Sequence, residues 1–234
     1  MFTSRRIAIM GGDKFRDDYS IHFDNDNGDF IAVTETGFSV HDTAHSFSFW
    51  CKRDSIDSYD IVLGNQSESN YNFIIFDDSD GNRLMLEGAN GDTAVGVCSV
   101  VAGRWYHFVV VCNADDTHLM YQDGVALTMS DNEMTTDVSI DAIGGSSANV
   151  FNGNISDVAI YNTALSASQV KTLYNGREPF DHKSGSLSKN LIHWWRMGDG
   201  LENAAGTTVY DLAGSLNGTM TNMDATDYEE DTPW

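Results

Sequence analysis

Apolar and polar positions alternate along most of this chain, and a period of two marks β-strands with one covered face. Ser20-Ile21-His22-Phe23 alternates, Asp24 to Asp29 supplies turn residues around Gly28, and Phe30-Ile31-Ala32-Val33 resumes the apolar run, so this stretch reads as a hairpin. In Ser46-Phe47-Ser48-Phe49-Trp50-Cys51-Lys52, the residues Phe47, Phe49 and Cys51 share one face. Two apolar runs, 71–76 and 83–86, flank Asp80-Gly81, a favoured type I′ pair, so Asp77, Asp78 and Asp80 read as a plain hairpin turn. The run from Trp105 to Cys112 is apolar on both faces, which predicts a central strand covered on both sides. A strand at 119–122 leads into the turn Asp123-Gly124, and 156–161 alternates again with Val158 and Ile160 on one face.

One segment changes period. Ser166 and Gln169 have the spacing of a capping box, and Leu165 can pack on Val170 as a hydrophobic staple. Val170, Leu173 and Tyr174 make an i, i+3, i+4 stripe that Asn175-Gly176 ends with a left-handed cap. This is one short helix in an otherwise all-β chain. Residues 177–190 are polar and read as a connecting loop, 191–197 as one more strand, and 224–234 as an extended acidic tail. The domain reading is therefore an N-terminal arm at 1–18, a β-sandwich at 19–223 that includes the strand at 191–197, and the tail.

Composition narrows the function classes. With 234 residues and 41% hydrophobic content, one large sandwich with a real core is affordable. The 21 glycines sit mostly between short apolar runs, where turns need positive φ. Against 35 acidic residues stand only 13 basic ones, a net charge of −22 without any Lys/Arg cluster, so nucleic acid is excluded as a partner. Such a field favours solubility, divalent cations and basic partners. Cys51, Cys98 and Cys112 each lie inside an apolar run, and an odd count at irregular spacing argues against disulfides or zinc. Free thiols imply folding in a reducing cytosol. The apolar stretch Ile7-Ala8-Ile9-Met10 is too short for a signal-peptide core, and no run is long enough for membrane insertion.

Four motifs occur in order: YSIHFDNDNGDFIAV, FSFWCK, GRWYHFVVVC with LMYQDGVAL, and FNGNISDVAIYNTALSASQVKTLYNG. Together they resemble laminin G-like and pentraxin-type domains of the concanavalin A-like lectin/glucanase superfamily, over about residues 19–176. The resemblance implies a concanavalin A-like jelly-roll sandwich of two antiparallel sheets. LIHWWRMGDG followed by VYDLAGSLNGTMTN is similar to the segment that usually opens such a domain, yet here it comes last. A lone strand is unstable, so it must close the same sandwich, as in a circular permutation, or pair with a neighbouring copy. The arrangement also resembles chains in virions of tailed marine phages. That implies a non-enzymatic structural protein, a capsid decoration or fibre component made in the host cytoplasm, which contacts other virion proteins or itself and displays a glycan-adhesive face.

Two alternatives stand beside this reading, a calcium-dependent lectin-like receptor-binding module and a glycan hydrolase. Glucanases of this fold need carboxylates alternating on one strand, Glu-x-Asp-x-(x)-Glu, and no segment carries that pattern. Residues 227–230 are acidic but are expected to be solvated, and His107 is expected to be a hydrogen-bonded core residue rather than a base. Calcium needs six to eight oxygens. Asp24, Asp26 and Asp29 fall within one turn, and the resemblance carries Asp24 and Asp157 over as calcium ligands. A sugar needs an aromatic platform beside polar groups, for which Tyr59 and Tyr71, in the polar loops 54–60 and 65–72, are the candidates. Trp50, Trp105, Trp194 and Trp195 are expected in the sheets, and Trp234 is an exposed anchor for a partner.

Overall fold

A computed structural model describes residues 15–38, 43–56, 59–66, 72–77, 83–145 and 149–234, with backbone alone at 35–38. Tyr71, Asp78, Asp80 and Gly81, and with them the expected type I′ turn, lie outside the described residues. Among those described, the strands in chain order are β1 (Ser20–Phe23), β2 (Phe30–Phe38), β3 (His45–Arg53), β4 (Asp60–Gly64), β5 (Phe73–Asp77) and β6 (Arg83–Glu87). They continue with β7 (Thr93–Val97), β8 (Trp105–Cys112), β9 (His118–Gln122), β10 (Val125–Ala126), β11 (Thr128–Asp131), β12 (Val138–Ile143) and β13 (Gly153–Tyr161). After helix α1 (Ala167–Tyr174) come β14 (Leu191–Trp195), β15 (Thr208–Val209), β16 (Gly218–Thr221) and β17 (Tyr228–Glu229).

The strands form two antiparallel sheets. One runs β10-β9-β8-β3-β13-β1-β17 with β14 also on β13, and the other runs β11-β7-β6-β5-β4-β12-β2-β16-β15. This is the all-β two-sheet sandwich the alternation predicts. Phe47, Phe49 and Cys51 of β3 and Tyr106, Phe108, Val110 and Cys112 of β8 point inward. They meet Val62, Ile74, Phe76, Leu84 and Leu86 of the facing sheet. Cys51, Cys98 and Cys112 are buried and unbridged.

The last part of the chain closes this core within the same chain. β1 pairs with Gly153–Ile155 of β13, and β14 pairs with Val158–Tyr161, so the two lie end to end along one side of β13. Trp195, Met197, Val209, Met220 and Tyr228 all join the main core. The segment expected to be a solvated tail is instead structured: Tyr228–Glu229 extends the sheet beside β1, and Asn154 Nδ2 donates to Glu229 Oε2 at 2.7 Å.

Asp211 pins β14 to the loop that follows it. Its carboxylate accepts from His193 Nδ1 at 2.7 Å and from the backbone N–H groups of Trp194, Ala213, Gly214 and Leu216 at 2.9–3.1 Å. Burial works to raise this carboxyl, but the bonds from His193, Gly214, Trp194 and Leu216 outweigh it and hold it at about 2.

The outer face of the β3–β8–β13 sheet is also covered. Val109, Val111, Ala159, Tyr161 and Trp194 form a second apolar layer against Val170 and Leu173 of α1 and Leu187 of the following loop. The helix has the predicted capping box, Ser166 with Gln169, and Asn175 ends it in the left-handed region at φ 49°. At Gly153 close approach requires glycine: its φ is +135°, and a Cβ would sit 2.1 Å from the Lys52 carbonyl oxygen. Among the described residues no helix is long and apolar enough to cross a membrane.

Candidate ligand-binding face

Of the four aspartates expected as calcium ligands, Asp24, Asp26 and Asp29 share one turn, whereas Asp157 lies in β13. Asp24 Oδ1 accepts from the Asp26 N–H at 2.9 Å, and Oδ2 accepts from Asn27 Nδ2 at 3.0 Å. Asp29 Oδ2 accepts from the Asp24 N–H at 3.0 Å, while its Oδ1 has no partner among the described residues although the residue is only 2% exposed. Burial, the largest influence, raises the Asp29 carboxyl above the ordinary aspartate range. Asp26 is exposed. These are bonds of an Asx-type turn. Among the described residues, no group of three or more His, Cys, Asp or Glu side chains is placed to hold a metal.

Asp157 sits elsewhere, and its position corrects the ligand role given to it by resemblance. It lies in β13 where the register against β3 shifts between Ser156 and Ala159, and its φ is 52°. The irregularity falls at the junction between β1 and β14. Asp157 Oδ1 accepts from Trp194 Nε1 at 2.6 Å, and Oδ2 accepts from His182 Nε2 at 2.9 Å. The Tyr161 hydroxyl and His182 Nδ1 are hydrogen-bonded. Burial opposes ionisation of Asp157, yet the charge and hydrogen bonds of His182 and the Trp194 indole outweigh it and lower its pKa. This buried network ties the 177–190 loop to the sheet. Next to it, Ser48 Oγ lies 2.9 Å from His107 Nε2, and burial drives His107 down to about 3. His107 is thus the buried, hydrogen-bonded residue the sequence predicts, neutral at physiological pH.

Tyr59 is 45% exposed between β3 and β4; its expected companion Tyr71 falls outside the described residues. A more complete constellation, missed in the sequence, forms where residues 16–19 meet residues 230–232. An open cleft of about 280 Å³ there is lined by Arg16, Asp18, Tyr19, Glu230 and Thr232. Its first wall is fixed by the β14–β15 loop: Asp199 Oδ2 accepts from the Asp18 and Tyr19 N–H groups at 2.6 and 2.7 Å. Arg196 stacks on Phe15 at 4.5 Å and donates to the Asp17 carboxylate and the Arg16 carbonyl. Asp17 is buried, and desolvation, reinforced by the nearby Asp157 charge, raises its pKa well above the ordinary value. Arg16 and Asp18, both exposed, pair at 3.0 Å. No local sequence signal joins positions 16–19 to 230–232; the pairing of β1 with β17 brings them together.

Such a sandwich, with helix and loop covering one outer face, is of the concanavalin A-like class. The chain belongs to the Laminin_G_3 family, described as the concanavalin A-like lectin/glucanases superfamily, whose model matches residues 24–171, more than half of the chain. Among solved structures it is similar to a candidate carbohydrate binding protein from Bacteroides ovatus, at 19% identity and a TM-score of 0.65. The match covers 88% of this chain and 59% of that one, so the chain spans about three fifths of that protein's length. It is also similar to a heptameric SAP-like pentraxin from Limulus polyphemus, at 16% identity and a TM-score of 0.48, covering 68% of this chain and 82% of that one. Domain 4 of an extracellular arabinanase from Geobacillus stearothermophilus, solved with arabinotriose, matches at 20% identity and a TM-score of 0.45, covering 57% and 66%. A comparison with curated protein sequences finds no match.

Proposed function

We propose that this chain is a non-catalytic carbohydrate-recognition module and that the cleft between residues 16–19 and 230–232 is its sugar-contacting surface. The observation that carries this reading is the lining: a guanidinium, two carboxylates and a hydroxyl gathered beside Tyr19, a residue that also packs partly against the main core. Sugars are bound by stacking an apolar ring face on an aromatic while hydroxyls meet fixed polar groups. Arg16 donates; Asp18 and Glu230 accept; Thr232 does both. The net charge of −22 disfavours sulfated or carboxylated glycans and favours neutral or amino sugars. The Bacteroides protein's description agrees in class.

The absence of catalysis is supported by where the perturbed groups lie. His107 and Asp157 are both buried and engaged within the fold, away from solvent. A place in a phage particle rests on the sequence resemblance alone, because the matches described above include no virion protein. The calcium-dependent version has less support, since the Asp157 carboxylate is bonded to Trp194 and His182. A glycan array with and without chelator tests the proposal. Neutral or amino glycans should bind in both conditions, and Tyr19→Ala and Arg16→Ala should each weaken binding at least tenfold. No binding to any glycan, or binding indifferent to both substitutions, would overturn it.

A further inference from the structure

The outer face of the β3–β8 pair carries a groove that already holds a ligand, residues 231–234 of the chain itself. Its floor is Trp50, which is 1% exposed and lies against Tyr174 at 5.8 Å and His107 at 5.0 Å between ring centres. Trp234 meets Trp50 edge to face at 5.7 Å, and its indole N–H donates to the Asp17 carbonyl. Arg177 lies 5.7 Å from the Trp50 ring and donates to the Pro233 carbonyl at 2.9 Å, while its other terminal nitrogen donates to the Trp105 carbonyl at 3.2 Å. At the far end, the Asp231 carboxylate accepts from Trp105 Nε1 at 2.8 Å and from Lys52 Nζ.

These contacts amount to a reading frame. One end recognises a carboxylate with an ammonium and an indole N–H, the middle holds a carbonyl with a guanidinium, and the other end seats an aromatic ring on an aromatic floor. Lys52 and Arg177 are two of only 13 basic residues on a chain with 35 acidic ones, so the groove is a basic spot on an acidic molecule. The only peptide whose fit is on display is the chain's own. We propose that this groove is a peptide-recognition site, filled in cis by residues 231–234, and that it accepts the same segment from a second copy of the chain when the cis segment is released. Aromatic anchors seated in packed pockets are the usual centres of such interfaces. A tethered segment competes at millimolar effective concentration, which keeps the groove closed on itself at ordinary protein concentrations.

The test uses the full chain and a fluorescent peptide with the sequence of residues 224–234. The full-length variant Trp234→Ala, shown folded by circular dichroism, should bind the peptide at least tenfold more tightly than the unaltered chain, whose groove is occupied. Peptide carrying Asp231→Asn should lose at least tenfold in affinity. The full-length Asp231→Asn chain provides a second opened variant, independent of Trp234. Failure of both opened variants to bind, equal binding by opened and unaltered chains, or indifference to the Asp231 substitution in the peptide would each overturn the proposal.

Discussion

Replacing Asp211 with asparagine removes one charge and leaves the side-chain shape nearly unchanged, which makes it a sharp test of how β14 is held. The carboxylate is fully buried and takes bonds from one imidazole and four backbone N–H groups. Its folded value of about 2 lies nearly two units below the ordinary aspartate value of 3.8, and at about 1.4 kcal/mol per unit the ionised form contributes about 2.5 kcal/mol to folding. The amide also turns an N–H pair toward donors, stranding at least one of them for about 1 kcal/mol more. A loss of about 3 kcal/mol at pH 7 follows. For a domain of this size that lowers Tm by roughly 6–12 °C. The sign with pH is fixed. A depressed carboxyl contributes fully above its unfolded value and loses that contribution as pH falls through about 4 toward 2. The gap between the two proteins should therefore narrow in acid. Thermal melts followed by tryptophan fluorescence, at pH 7 and at pH 3, give both numbers. A gap under 2 °C at pH 7, or one that does not shrink at pH 3, would refute the reasoning.

Other perturbations follow from the same contacts. His182→Ala strands the Asp157 carboxylate and the Tyr161 hydroxyl in the interior and should cost about 3–5 kcal/mol in urea titrations, with hydrogen exchange rising first in residues 177–190. Gly153→Ala drives a methyl into the Lys52 carbonyl at 2.1 Å and should abolish soluble expression; a stable, soluble variant would show that β3 and β13 can part there. All three thiols are buried, and burial pushes Cys98 to about 11, so a thiol-specific disulfide reagent at pH 8 should react only slowly until denaturant is added. A chain ended at Asn190 loses Trp195, Met197, Val209, Met220 and Tyr228 from the core and should be insoluble or molten; a cooperative melt from it would overturn the closure described above.

What could be read from the sequence was whatever depends on near neighbours. Ser166, Gln169 and Asn175 delimit α1 because capping is a local hydrogen-bond requirement. The parity of β3, β8 and β13 shows because each packs one face on a common core. β14 pairs with β13 of the same chain, which gives an apolar strand of that length the neighbour it needs. Features hidden from the sequence depend on partners far apart along it. Asp157 is named as a ligand by resemblance alone, because nothing nearby announces the irregularity in β13 or the indole 37 positions on that it serves. Residues 227–231 read as solvated because their acidity is visible, whereas the Lys52, Trp105 and Asn154 side chains that receive them are not. Trp234 rests on Trp50 of the same chain, a contact between positions too far apart for the sequence to show.

The end-to-end seating of β1 and β14 on one flank of β13 bears on how the protein comes into being. As the polypeptide leaves the ribosome, β1 emerges long before β13, and β13 in turn waits for β14 and β17. Until the stretch beyond Leu191 is delivered, half of that flank presents unsatisfied backbone and bare apolar surface to solvent, a template for promiscuous strand addition. Such an order of assembly makes folding slow and late, and it makes nascent chains stalled after α1 natural clients of chaperones.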